Sequence, residues 1–133
     1  MDNKDSGIDL TFDDKYRDIR DKFAEKFFNG SSVDTCIFAF SLGISKESRI
    51  NKDRWSSKGQ TSWSDMNRLR GKGINFEILL DYMGLTEEGI PAARIISEYV
   101  TGGLKVIDDD LMLEDGGFGE LESYLNAQMP LSE

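Results

Sequence analysis

Apolar positions recur with a helical period along most of this chain. The sharpest case is residues 31–44, Ser-Ser-Val-Asp-Thr-Cys-Ile-Phe-Ala-Phe-Ser-Leu-Gly-Ile. Val33, Cys36, Ile37 and Phe40 share one face of a 3.6-residue helix, and Phe38 and Leu42 lie on the other. A helix that is apolar nearly all round has to be surrounded by protein. Ser31, with Asp34 three residues on, marks its start; Gly43, which tolerates left-handed backbone, and Ile44 mark its end. The pattern predicts a central core helix over 31–44, against which helices over 12–28, 75–83 and 91–101 pack.

The flanking elements follow from the same periodicity. Residues 1–10 read as a flexible lead-in, with Ile8 and Leu10 able to dock. Thr11 is a candidate cap for a helix over 12–28, whose first turn carries Asp13 and Asp14 and whose stripe is Tyr16, Ile19, Phe23 and Phe27. Core packing explains that stripe better than a partner groove does. Asn29-Gly30 stops the helix and forces an antiparallel or steep corner into the next one. Residues 45–73 lack a clear period and read as one long basic loop. Within it, 60–64 is either a short strand or extended chain, and 64–70 holds one or two helical turns capped by Ser64.

Order returns at 74–85, with Asn75 as cap and Gly84 as stop. Thr86–Ile90 opens the next helix and Pro91 sits in its first turn. Ala92, Ile95, Ile96, Tyr99 and Val100 face the core, and Gly102-Gly103 end that helix. Leu104–Ile107 is either a strand or a final helical turn. Phe118, Leu121, Tyr124 and Leu125 outline a last amphipathic helix over 118–127, and 129–133 is a tail. The expected fold is all-α: a single compact domain over 11–128 with four to six helices.

Composition narrows the chemistry. The chain has 133 residues, 38% of them hydrophobic, enough for one domain without covalent staples. It contains no histidine, which removes histidine bases, Ser-His-Asp and Cys-His nucleophile systems and most zinc sites. Its single cysteine, Cys36, excludes an intrachain disulfide and fits a small buried hydrophobe in a reducing compartment. The polar start Met1–Asp5 lacks the apolar stretch of a secretory signal, and no apolar run approaches the ~20 residues of a membrane span. These features point to a cytoplasmic protein with no membrane association.

Charge supplies the strongest functional lead. The net charge is −9, yet residues 45–73 hold eight basic residues against three acids, an excess of five that leaves the remaining chain at −14. The basic residues are Lys46, Arg49, Lys52, Arg54, Lys58, Arg68, Arg70 and Lys72, and both tryptophans, Trp55 and Trp63, lie among them. Lys and Arg neutralise phosphates and an exposed indole stacks on an unpaired base, so these ten residues form a candidate binding site. The competing readings are a solvated loop with both tryptophans folded onto the core, and a surface for an acidic protein partner. No helix-turn-helix spacing, zinc finger or aromatic signature of an RNA-recognition sheet accompanies the segment.

Other candidates are weaker. Asp108-Asp109-Asp110 with Glu114-Asp115 offers oxygen ligands for a hard cation, but Leu111 and Leu113 stand where a calcium loop needs oxygens. Gly71-Lys72-Gly73 lacks the four-residue gap and following hydroxyl of a phosphate loop. Cys36 has no histidine base. No catalytic residue, metal site or cofactor is therefore assigned.

Residues 33–44, followed shortly by arginine, and residues 96–104, Ile-Ser-Glu-Tyr-Val-Thr-Gly-Gly-Leu, resemble the pattern of small accessory proteins associated with prokaryotic DNA phosphorothioation (DNA sulfur modification) systems. The resemblance covers about a sixth of the chain, lies in helix-core patterns, and implies a non-catalytic, defence-associated accessory role. It does not extend to the basic segment and leaves oligomeric state open. The expectation is a small accessory or adaptor protein that binds a larger protein or nucleoprotein complex. Direct nucleic-acid binding through 45–73 is the alternative, and a carboxylate-metal enzyme comes third.

Overall fold

The computed structural model describes residues 8–56 and 59–111. In chain order it contains strand β1 (Asp9–Asp13), a 3-10 turn (Asp14–Tyr16), α1 (Arg17–Phe27), α2 (Ser32–Ser45) and a second 3-10 turn (Lys52–Arg54). Strand β2 (Gln60–Asp65), α3 (Met66–Gly71), α4 (Phe76–Tyr82) and α5 (Ala92–Val106) follow, and α5 ends in one π-helical turn, Ile107–Leu111. The fold is mostly helical with one two-stranded antiparallel sheet, so it is α+β where the periodicity predicted all-α. The predicted helix over 118–127 lies outside the described residues.

The sheet forms where the sequence reading placed a lead-in and a loop. β1 pairs with β2 from Asp9 opposite Asp65 to Asp13 opposite Gln60, with a register shift between Leu10 and Thr11. Leu10 and Phe12 are fully buried, so the lead-in ends before them. Thr11 is a strand residue and not a helix cap; Asp13 takes the capping role, accepting from the Lys15 N–H at 3.1 Å. The outer edge of β1 would otherwise present unpaired N–H groups, a hazard in any edge strand. α5 closes it with hydroxyls: Thr11 N–H donates to Ser97 Oγ at 2.9 Å and Asp13 N–H to Thr101 Oγ1 at 3.1 Å. Two hydroxyls one helical turn apart thus stand in for a third strand.

α5, not α2, is the post at the centre. Ten of its fifteen residues are buried, and it packs against α2, β1 and α4. Its length also departs from expectation, because the Gly102-Gly103 pair does not stop it. A Cβ on Gly103 would lie 1.8 Å from the Ala39 carbonyl oxygen, and one on Gly102 would lie 1.8 Å from the Ser48 carbonyl oxygen. Gly43 is likewise interior to α2, and a Cβ there would lie 2.2 Å from the Tyr99 carbonyl oxygen. These glycines admit neighbouring backbone, one of the two reasons a chain places glycine inside an element. Leu104–Val106 is accordingly helix, and Pro91 is the N-cap residue of α5 with Glu87–Ile90 forming a turn before it.

Local signals hold elsewhere. Ser31 caps α2, accepting from Asp34 N–H at 3.1 Å, and Asn75 caps α4, accepting from Ile78 N–H at 3.1 Å. Asn29 and Gly30 both take positive φ, at 58° and 83°, and turn the chain through a steep corner. The segment Asp14–Phe27 meets α2 at 105°, and among the described residues no single helix is long and apolar enough to cross a membrane. The aromatic stripe of α1 packs inward: the Phe23 ring stacks on Phe38 at 5.5 Å and lies 4.8 Å from Phe27. Phe40 sits between Phe76 at 4.6 Å and Tyr99 at 6.4 Å, which ties α2 to α4 and α5.

Candidate functional site

The described residues of the basic segment divide between a first half held against α5 and a second half on α3. The first half is pinned to α5 by a buried carboxylate that the sequence reading passed over. Glu98 has no exposed surface. Its Oε1 accepts from Arg49 Nε at 2.7 Å, and its Oε2 accepts from Arg94 Nε and the Lys52 backbone N–H, both at 2.9 Å. Burial alone would raise this carboxyl's pKa, but the hydrogen bonds from Arg94, Lys52 N–H and Arg49 outweigh burial and hold it below the usual range. A carboxylate with both oxygens satisfied in this way is a structural clamp.

Arg49 is consumed by the clamp. Its Nη1 also donates to Glu87 Oε2 at 2.5 Å, and its guanidinium lies 5.6 Å from the centre of the Tyr99 ring. Burial lowers the Arg49 pKa, and the bonds to Glu87 and Glu98 more than reverse that, so the group stays charged. Arg49 is half-buried and therefore not a free phosphate ligand. Lys52 lies over the Trp55 ring at 5.7 Å, and the Trp55 indole N–H donates to the Ile50 carbonyl at 2.9 Å, which holds that ring against its own loop. Lys46, the C-cap residue of α2, and Arg54 are exposed, and Lys58 lies outside the described residues.

Trp63 is the clearest correction among the site residues. It is 6% exposed, and it is the residue of β2 left without an opposite number where the register shifts. A bulge of this kind disturbs strict alternation, so Trp63 and Ser64 are both buried. The indole is unavailable for stacking on a base, and its N–H has no partner among the described residues.

The second half of the segment falls on α3. The α3 cap is Asp65, not Ser64: its Oδ1 accepts from Arg68 N–H at 2.8 Å, and its Oδ2 lies 3.6 Å from Arg68 Nε. Arg70 donates to Glu77 at 2.7 Å and to Asn67 at 2.5 Å, which brackets α3 to α4. Lys72 is exposed just beyond α3. The turn at 52–54 and α3 flank β2, which alone runs roughly 17 Å from Gln60 to Asp65 at strand rise. Arg54, Arg68 and Lys72 keep exposed charge; Arg49 and Trp63 are structural.

The remaining chemistry is sparse. Burial pushes the Cys36 thiol up to about 12 against a smaller opposing pull from Arg20, so it is no thiolate nucleophile near neutral pH. Asp108, Asp109 and Asp110 are exposed, Asp109 accepts from Lys105 Nζ at 2.5 Å, and Glu114 and Asp115 lie outside the described residues. Among the described residues no group of three or more His, Cys, Asp or Glu is placed to hold a metal ion. Gly71 ends α3 and Gly73 turns at φ 87°.

One apolar surface stands out, on α4. Phe76 and Leu80 face the core, whereas Ile78, Leu79, Tyr82 and the following Met83 are exposed at 66%, 39%, 88% and 36%. At 100° per residue these four occupy one continuous outward stripe, and Glu77 and Asp81 form the row alongside Ile78 and Tyr82. Clustered exposure of large apolar side chains is less usual on a folded domain than single exposed ones. The sequence carried this signal as six apolar residues within 76–83, more than one buried face of a two-turn helix accommodates.

No protein-family model, curated protein or solved structure matches this chain.

Proposed function

We propose that this protein is a small non-catalytic adaptor that docks a protein partner on the outward stripe of α4. The observation that carries this reading is the exposure of Ile78 and Tyr82, at 66% and 88%, on a helix whose opposite side is fully engaged with the core. Supporting it, Arg49 and Trp63, central to the competing cationic site, are tied up in the fold. The setting we assign is a cytoplasmic complex. The similarity of residues 33–44 and 96–104 to accessory proteins of DNA phosphorothioation systems suggests one such complex. Those two stretches are the facing helices α2 and α5, so the similarity bears on core packing and not on the docking surface.

The test compares wild type with an Ile78→Ser/Tyr82→Ser double variant in affinity capture from the native host. Both residues are outside the core, so the variant keeps its far-UV circular dichroism. A partner retained by wild type and lost from the variant supports the reading. A set of captured proteins unchanged by the variant refutes it.

Direct nucleic-acid binding is the second reading, favoured by one observation: Arg54, Arg68 and Lys72 remain exposed. Replacing these three with Glu and measuring affinity for single-stranded and duplex DNA against salt separates the readings. Phosphate contacts give log affinity a slope close to −1 per contact on duplex and somewhat less on single strands. Absence of salt-dependent binding by wild type removes this alternative.

A further inference from the structure

Resting on the adaptor reading, we infer that the partner element seated on α4 is a cationic amphipathic helix. Its apolar side chains, one turn apart, would cover Ile78, Leu79 and Tyr82, and a row of Lys or Arg would face Glu77 and Asp81. Charge decides between the occupants that the apolar stripe alone admits. The row beside the stripe is acidic: Glu77 is half-exposed even while it accepts from Arg70, and Asp81 is exposed with no partner among the described residues.

A second copy of this chain would bring a like row of carboxylates against the first, on molecules that each carry −9. Like charges placed opposite each other disfavour that pairing. The chain's own C-terminal portion fares no better. From Val106 to Glu133 it has eight acids and no Lys or Arg, so the apolar residues at 118, 121, 124 and 125 would arrive with the wrong charge. A helix with basic flanks gains both the apolar contact and the ion pairs. It docks by the helix-on-helix mode, in which anchors at i, i+3 or i+4 and i+7 meet an apolar surface. Long-range attraction between such a segment and an acidic protein also speeds encounter.

Immobilised full-length protein is panned against a library of helical peptides with apolar anchors fixed at that spacing and flanking positions free to be Lys, Gln or Glu. Peptides that bind the Ile78→Ser/Tyr82→Ser variant are removed first. The expected survivors carry Lys at the flanks. Their affinity falls about 3- to 10-fold on Asp81→Lys and by a similar factor at high salt, as ion pairs at an exposed rim allow. Survivors that are neutral or Glu-rich overturn the cationic partner and leave the adaptor reading standing. No survivor that distinguishes wild type from the double variant overturns both. In a parallel arm, benzoylphenylalanine in place of Tyr82 is irradiated in the full chain alone. The expected result is no adduct within or between chains; a crosslink to residues 112–133 or a covalent dimer assigns the surface to the tail or a second copy and overturns the inference.

Discussion

Replacing Gly103 with alanine puts the helix-packing argument at risk. In most helix interiors this change stabilises by up to about 1 kcal/mol, because alanine has less backbone freedom to lose. Here the added Cβ would stand 1.8 Å from the Ala39 carbonyl oxygen and 2.6 Å from its carbonyl carbon. A comfortable carbon–oxygen contact is about 3.3 Å, so α2 and α5 would have to separate by roughly 1.5 Å. Both obstructing atoms are backbone, and no rotamer change relieves them. A radial gap of 0.5–1 Å already forfeits about a quarter to a half of each dispersion contact, and the loss would spread to Phe40, Val100 and Leu104 beside the seam.

Overpacking of this kind costs about 3 kcal/mol, at the upper end of the usual range, which leaves a net loss of about 2–3 kcal/mol. In urea, with a slope of about 1–3 kcal/mol per molar, the midpoint should fall by about 0.7–3 M with the slope unchanged. Gly71→Ala is the internal control. Gly71 ends α3 with nothing within 4 Å of an added Cβ, so that variant should gain about 0.4–1 kcal/mol. Equal or greater stability of Gly103→Ala in far-UV circular dichroism would refute the close-approach account of the α2–α5 seam.

Three further outcomes are expected. Glu98→Gln should lose about 2–3 kcal/mol, less than a fully buried pair because Arg49 and Arg94 reach solvent, measured by urea denaturation. Since the folded state holds this carboxyl below its unfolded value of about 4.3, its contribution is present above that pH and disappears as pH falls through the folded pKa; the variant should therefore show a flatter acid limb, and an unchanged one would count against the clamp. Phe40→Asp places a charge at a site 1% exposed between Phe76 and Tyr99 and should abolish cooperative thermal unfolding, whereas a soluble, cooperatively folded variant would show the α2 face to be open. Trp55→Phe should leave blue-shifted emission that acrylamide hardly quenches, from Trp63, and Trp63→Phe should leave the more quenchable signal of half-buried Trp55.

What the sequence disclosed was local. Ser31, Asn75 and Asn29-Gly30 act through hydrogen bonds and backbone angles within a few residues, so their roles could be read directly. The misreadings share one cause, which is partners distant along the chain. Asp9–Asp13 alternates polar and apolar residues, but its strand partner is some fifty residues away, and alone it resembles a helix start. Gly43, Gly102 and Gly103 looked like stops because glycine's local meaning is flexibility, while their role here is set by Tyr99, Ser48 and Ala39. The site followed the same rule. Arg49 read as available charge until Glu98 and Glu87 were seen beside it, and α4 read as core because an apolar helix does not say which of its sides has a neighbour.

The hydroxyl-closed edge of β1 has a consequence for biosynthesis. β1 leaves the ribosome before its partners do: its inner edge waits for Gln60–Asp65 and its outer edge for Ser97 and Thr101, 86 and 88 positions beyond the residues they bind. At about 5–20 residues per second, synthesis of that intervening chain takes roughly 4–18 s. During that interval Leu10 and Phe12 lack α5, the helix that β1 packs on. The outer edge of β1 is thus secured only once α5 has been made. A translation-arrest force profile should stay low until Thr101 has cleared the exit tunnel and then rise in a single step.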